Sequence, residues 1–544
     1  MWKTSGRIKT ERLTAVLQDG EKCGGYTFLA RKKNKINRKL TASEARHLAK
    51  PQNVGRQFSA PRKKRTMKKA ILLFILFLIS EISFSQTCKC ETELKFVSNY
   101  YEKNLPSFID NVNSSNRKQY EKFKKLLFYK SKNSNSKMDC FKLLTYYVEY
   151  FKDNHSSIYM QDIEVNENDE KSLENFLNSE TYKSREHYNL KETDLKQFAQ
   201  NDIRGIYQNS DSTITITVIP NKDNFREYIG VVTESKSKLW KKGQVKIEIN
   251  KNGKGGFEAF YYSYKHSLKF YPDYTLQNGI LGDFWFKKSL KNKVNYSHNF
   301  DNKIEYKTLN DSTSYLRISS FSSELNAKID SLYKKIDSEI LKKPYLIIDV
   351  RNNGGGSDGN VYPLLKYIYT KPFIDDKVEL YVTKDNIQVW ENWYNEQSKD
   401  TINYNKQNQL ESLAEINKMK NAENGTFIPR GSSENKTIKL EKVEKYPKNV
   451  AIITNRWCAS SCESLLFLAK ESDKSIIVGE NSGGYVGYGE VGEIITPCYK
   501  FDLTCTMTRY DKQREFEVIG ISPNYKLNND KSWIEQTMEI LEKK

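Results

Sequence analysis

The stretch LIIDVRNNGGG (346–356) sets the fold class. Its apolar run predicts a buried strand, ending in charged and amide residues and then three glycines. Glycines at a strand end let backbone N–H groups face a cavity without side-chain obstruction. An oxyanion or phosphate cradle and a plain flexible turn both fit that pattern. A P-loop does not, because no Gly-Lys-Ser/Thr follows.

On either side, strand and helix patterns alternate. SYLRISSF (314–321) reads as a strand and SSELNAKIDSLYKKIDSEILKK (322–343) as a helix. VYPLLKYIY (361–369) is helical in pattern. NVAIITN (449–455), ESLLFLAKES (463–472) and SIIVG (475–479) then read as strand, helix and strand, with late strands expected around 494–518. This alternation predicts an α/β core over 307–544. Residues 375–447 are polar and read as an insertion. Residues 87–202 look helical: in CFKLLTYYVEYFKDNH, Phe141, Leu144, Val148 and Phe151 form one apolar stripe. Residues 203–306 hold short β-branched or aromatic runs (TITITVI, EYIGVVTE, GQVKIEI, FEAFYYSY, ILGDFWFKK) at even spacing. They predict a small antiparallel barrel or sandwich.

Charge does not mark a nucleic-acid binder. The net charge is +20, but residues 1–66 hold 18 Lys/Arg against 4 Asp/Glu. From residue 87 on there are 68 basic and 63 acidic residues, a mixed and ordinarily solvated surface. At Met67 the chain reads MKKAILLFILFLISEISFSQ, with two lysines, an apolar run and then small polar residues. This pattern is a secretory signal peptide over 67–86. An internal signal makes Met67 the expected start and 1–66 a non-native extension. The expected product is periplasmic or secreted, with no membrane association after cleavage. Seven cysteines follow the signal, so an oxidising compartment permits disulfides and leaves an odd thiol. Cys498 and Cys505 flank a possible hairpin (PCYKFDLTC) and are candidates to bridge. No metal-ligand spacing and no cofactor motif is present.

Three further stretches carry chemistry. In TNRWCASSCESLLFL (454–468), Ser460 and Ser461 stand where a strand gives way to a helix. Free N–H groups and the helix dipole favour an oxyanion there, although a serine N-cap fits as well. No G-x-S-x-G elbow is present. KDNHSSIYM (152–160) places His155 just past an amphipathic helix and before a short strand. In EFEVIGISPNYKL (515–527), Glu517 is read on a strand end, from which a carboxylate can orient an imidazole.

In this order, SYLRISSF, LIIDVRNNGGG, NVAIITNRWCASSCE, IIVGENSGG and VIGISPN resemble the S41 peptidases, the C-terminal processing and tricorn-type proteases. The resemblance covers about 315–370 and 447–528, plus His155. It implies a crotonase-like (ββα) core and serine endopeptidase activity on a protein or peptide substrate. The family's Ser-x-x-Glu pattern gives Ser460 as nucleophile, with Glu463 in support. Ser461 and one of Gly354, Gly355 and Gly356, taken as Gly355, supply the oxyanion-hole N–H groups. Processing proteases carry a lysine base after the strand corresponding to SIIVG, but GENSGGYVGYG (479–489) has Tyr485 there. A tyrosine, with an ordinary pKa of about 10, is a poor base at neutral pH. The tricorn-type branch uses an upstream histidine and a late glutamate, which correspond to His155 and Glu517. That branch has a serine before its histidine where this chain has Asn154. No PDZ-like carboxylate-binding loop is recognisable. Two other readings are a non-catalytic S41-fold protein that binds ligands or peptides, and a crotonase-type hydratase, which the signal peptide disfavours. The sequence does not define the oligomeric state.

Overall fold

The computed structural model describes residues 88–544, except 135, 224–225, 254, 291–293, 299–301, 400–405 and 432–436. The expected extension (1–66) and signal peptide (67–86) lie outside the described residues. Among the described residues no helix is long and apolar enough to cross a membrane.

The core is a six-stranded sheet in the order Ile304–Thr308, Thr313–Ile318, Tyr345–Asp349, Asn449–Thr454, Ser475–Gly479, Tyr525–Lys526. Its first pair is antiparallel and the rest are parallel. Successive side chains of a strand point to opposite faces. Leu346, Ile348, Val450 and Ile452 therefore pack with the helices Asn326–Ile340 and Ser461–Ala469. Ile347, Ala451 and Ile453 pack on the other face with Trp533 and Leu541 of the Trp533–Glu542 helix. Burial on both faces accounts for the unbroken apolar runs seen in the sequence.

The register decides where the loops go. Ile348 lies beside Ile452 and Asp349 beside Ile453. The glycine-rich loop and the two-serine loop therefore leave the same sheet edge side by side. In open α/β sheets that edge, at the carboxyl ends of the strands, is where ligands bind. Asn455 ties the two loops together: its Oδ1 accepts the Asn352 N–H (2.9 Å) and its Nδ2 donates to Asn352 Oδ1 (2.9 Å).

Residues 203–306 contribute a nine-stranded antiparallel path from Leu268–Tyr274 to Leu276–Gln277. Strands consecutive in sequence stand at its two ends, so the sheet nearly closes on itself. ILGDFWFKK is not one strand but two, Ile280–Leu281 and Trp285–Lys287, broken at Asp283, whose φ is +73°.

The 375–447 segment departs from the expectation of a plain excursion. Val378–Tyr381 pairs with Asp502–Tyr510 and with Phe427–Pro429 in a third sheet. The helices Lys384–Gln397 and Lys406–Asn421 add a small apolar cluster of their own around Trp390, Ile416 and Met419. Late strands run over Tyr488–Ile495 and Asp502–Tyr510, while Glu517 follows a single 3-10 turn (Gln513–Phe516) rather than ending a strand. Cys498 is disulfide-bonded, but Cys505 is a free buried thiol, so the expected bridge between them is not made.

Candidate active site

Ser460 stands at the start of the Ser461–Ala469 helix with φ +56° and ψ −123°. A non-glycine residue in that region costs about 1–3 kcal/mol and persists only where its surroundings enforce it. Several groups enforce it here. The Ala459 N–H donates to Asn353 O (3.0 Å) and the Ser460 N–H to Glu463 Oε2 (3.2 Å). Gly355, at φ +85°, packs so tightly that a methyl group on it would lie 2.5 Å from Ala459 O and 2.8 Å from Ser460 Cβ. Gly355→Ala is therefore expected to lower stability by about 3 kcal/mol, from overpacking and a disfavoured φ together. Urea unfolding of the variant checks this, and an unchanged midpoint would contradict the packing described.

Glu463 organises the next loop. Its buried carboxylate accepts from Ser482 Oγ (2.6 Å), Gly484 N–H (2.8 Å) and Tyr485 N–H (2.7 Å) besides Ser460. Burial raises its pKa from 4.5 to about 7, against the lowering effect of those donors. Between these values the folded chain holds a proton that the unfolded chain has released. Stability from this group is thus fully present below pH 4.5 and is lost as pH rises to about 7, by about 3 kcal/mol. Glu463→Gln should flatten that part of the pH–stability curve. Parallel curves for parent and variant in denaturant titrations would refute the assignment.

His155 reaches the same cavity from the helical region. Ser460, Ser461, Gly356, His155, Tyr485 and Tyr488 all line it, with Trp393 contributed by the 375–447 segment. The helix Lys137–Glu149, tied by Cys140–Cys90 to Cys90–Asn104, ends just before it. Asp153 then fixes the turn, accepting from His155 N–H (3.0 Å), Ser156 Oγ (2.8 Å) and Thr506 Oγ1 (2.6 Å). The imidazole Nδ1 lies 2.7 Å from Tyr488 O. A carbonyl only accepts, so Nδ1 carries the proton and Nε2 is the nitrogen with the basic lone pair. Tyr485, at the position expected for a lysine, sets its ring edge-on to His155 at 5.5 Å between centroids.

Two expected roles are placed differently. Glu517 does not bond the imidazole: its Oε1 accepts the Asn154 N–H (2.8 Å), and its Oε2 accepts those of Val486 (2.9 Å) and Gly487 (2.6 Å). It joins the backbone just before His155 to the segment that carries the Tyr488 carbonyl. Burial first, and Asp153 second, push its carboxyl well above the usual range. The Gly355 N–H is turned to Asn353 Oδ1 (2.9 Å) rather than to the cavity. Gly356 lines the cavity instead. Gly355 O and the Ser357 N–H both face Phe321 in a parallel bridge, which turns the intervening Gly356 N–H the other way. Asn154 Nδ2 donates to Gly484 O (2.8 Å) and Gly483 O (3.2 Å), and so holds the 482–485 loop. Gly354 is buried beside these groups. The Tyr488 carbonyl had no sequence signal, because any residue supplies one. Among the described residues no cluster of His, Cys, Asp or Glu is arranged to hold a metal ion.

The chain is similar to mature CPAF complexed with lactacystin: 12% identity over 84% of this chain and 97% of that one, TM-score 0.44. A putative peptidase from Parabacteroides merdae ATCC 43184 gives 11% identity, the same 84% and 97% coverage and TM-score 0.38. The photosystem II D1 C-terminal processing protease gives 14%, 84% and 97%, and 0.31. No curated protein matches the chain. The model of peptidase family S41 matches residues 312–527, from the second core strand to the loop after the last one. Residues 312–527 are a peptidase family S41 domain.

Proposed function

We propose that the protein is a secreted or periplasmic serine endopeptidase with Ser460 as nucleophile and His155 as general base. The observation that carries this reading is the pairing of a conformationally enforced serine with an Nδ1-anchored histidine in one cavity. Ser460 Oγ attacks a peptide carbonyl carbon while His155 Nε2 takes its proton. The N–H groups of Ser461, at the helix start, and Gly356 hold the oxyanion. His155 then donates the proton to the leaving amine, and water hydrolyses the acyl-enzyme by the same route. Glu517 acts through the backbone, holding the segments that flank His155 and Tyr488. Trp393 walls the cavity and gives the substrate an apolar surface. The expected signal at 67–86 and the disulfides Cys90–Cys140 and Cys458–Cys462 support export to an oxidising compartment.

A fluorophosphonate probe tests the reading. It should modify Ser460 in the parent, located by peptide mass spectrometry, and should fail to modify a His155→Ala variant at comparable rate. Labelling confined to other serines would favour a non-catalytic S41-fold binding protein.

A further inference from the structure

The sequence leaves Cys458 and Cys462 without a role. In the structure they form a disulfide across four residues, and the chain it encloses is Ala459-Ser460-Ser461. Both cysteines are fully buried. Cys458 belongs to the loop after the Asn449–Thr454 strand and Cys462 to the first turn of the Ser461–Ala469 helix. The bond therefore spans the junction at which Ser460 takes its positive φ.

A cross-link stabilises a fold chiefly by restricting the unfolded chain, and the effect grows with the loop it closes. Cys90–Cys140, with a separation of 50, is suited to that task. Cys458–Cys462, with a separation of 4, closes the shortest useful loop, and its restraint falls almost entirely on the residues between. Those residues are the strained serine and the N–H of Ser461. The bond also steadies the neighbouring loop, because the Gly483 N–H donates to Cys458 O (2.8 Å).

We propose that the Cys458–Cys462 disulfide is the clip that positions the nucleophile, so that activity at Ser460 follows the redox state of this pair. The proposal rests on the reading of Ser460 as nucleophile. With the bond closed, Ser460 is held at φ +56°. On reduction the S–S bond breaks, and a dithiol supplies two electrons and two protons and closes to its own disulfide. The released loop can then relax Ser460 toward an ordinary negative φ, carrying Oγ and the Ser461 N–H out of register with His155 and Gly356. Activity is low where thiols stay reduced and full where disulfides form.

The experiment uses the full secreted chain, oxidised or treated with dithiothreitol, beside a Cys458→Ala/Cys462→Ala variant and a Cys90→Ala/Cys140→Ala control. Alkylation and peptide mass spectrometry establish which pair is open. Opening Cys458–Cys462 should slow fluorophosphonate labelling of Ser460 at least tenfold. It should also speed amide hydrogen exchange over 459–464 at least tenfold, with the melting temperature nearly unchanged. Reoxidation should restore both. Opening Cys90–Cys140 should lower the melting temperature and leave the labelling rate of the folded protein alone. Unchanged exchange over 459–464, or unchanged labelling with the pair open, overturns the proposal. If the oxidised parent labels at no serine, the nucleophile reading fails, and the exchange data still decide whether the bond holds the loop.

Discussion

Replacing Ser460 by Ala is expected to lower kcat/KM on an unfolded protein substrate by about 10⁴-fold or more, as loss of a covalent nucleophile does elsewhere. The variant should fold normally. Alanine carries the same conformational cost at φ +56° and keeps the backbone bonds that fix the loop, the Ser460 N–H to Glu463 Oε2 and the Glu463 and Ser464 N–H groups to Ser460 O. Ser460→Gly separates the two effects. Glycine adopts positive φ freely, so this variant should be more stable than the parent by about 1 kcal/mol and equally inactive. A protein that gains stability when its serine is replaced by glycine holds that serine in place for a reason other than folding. The measurements are substrate hydrolysis under pseudo-first-order conditions and a urea unfolding curve. Residual hydrolysis within tenfold of the parent by the alanine variant would remove Ser460 from the mechanism.

The parts of the site that the sequence revealed are those dictated by chain-local rules. Unbroken apolar runs over 346–348 and 450–453 marked strands buried on both faces, and parallel pairing then brought their following loops together. His155 was legible because histidines are scarce and this one falls between a helix and the short Ile158–Tyr159 strand. What escaped the sequence is the direction in which backbone groups point. Gly354, Gly355 and Gly356 are identical in type, but Asn353 Oδ1 takes the Gly355 N–H, a choice visible only in three dimensions. Glu517 was noticed as a carboxylate, and its partners are the N–H groups of Asn154, Val486 and Gly487, which carry no residue-specific signal. The insertion misled because its polar composition hides one strand, Val378–Tyr381, that pairs with Asp502–Tyr510. Its Trp393 reaches the cavity from more than sixty residues away in sequence from Ser460.

His155→Ala and Glu517→Gln are expected to differ by orders of magnitude. His155→Ala removes the proposed base, and its kcat/KM should fall by about 10³–10⁴-fold or more. Glu517→Gln leaves the imidazole and its Tyr488 anchor in place, because Nδ1 donates to that carbonyl at 2.7 Å and not to a carboxylate. The substitution turns an acceptor of three N–H groups into an amide that can accept with its oxygen alone. The loops bearing Asn154 and Gly487 should loosen, with a loss of about 10–100-fold in kcat and no change in the shape of the pH–rate profile. The opposite outcome has a clear meaning. A carboxylate bonded directly to the imidazole fixes the base's tautomer, and its amide replacement costs about 10⁴-fold. A Glu517→Gln variant as impaired as His155→Ala, with its pH profile displaced, would show that Glu517 swings onto His155 during turnover. Equal preservation of fluorophosphonate labelling in both variants would take His155 out of the base role and direct attention to the other groups that line the cavity, Asp358 and Glu490.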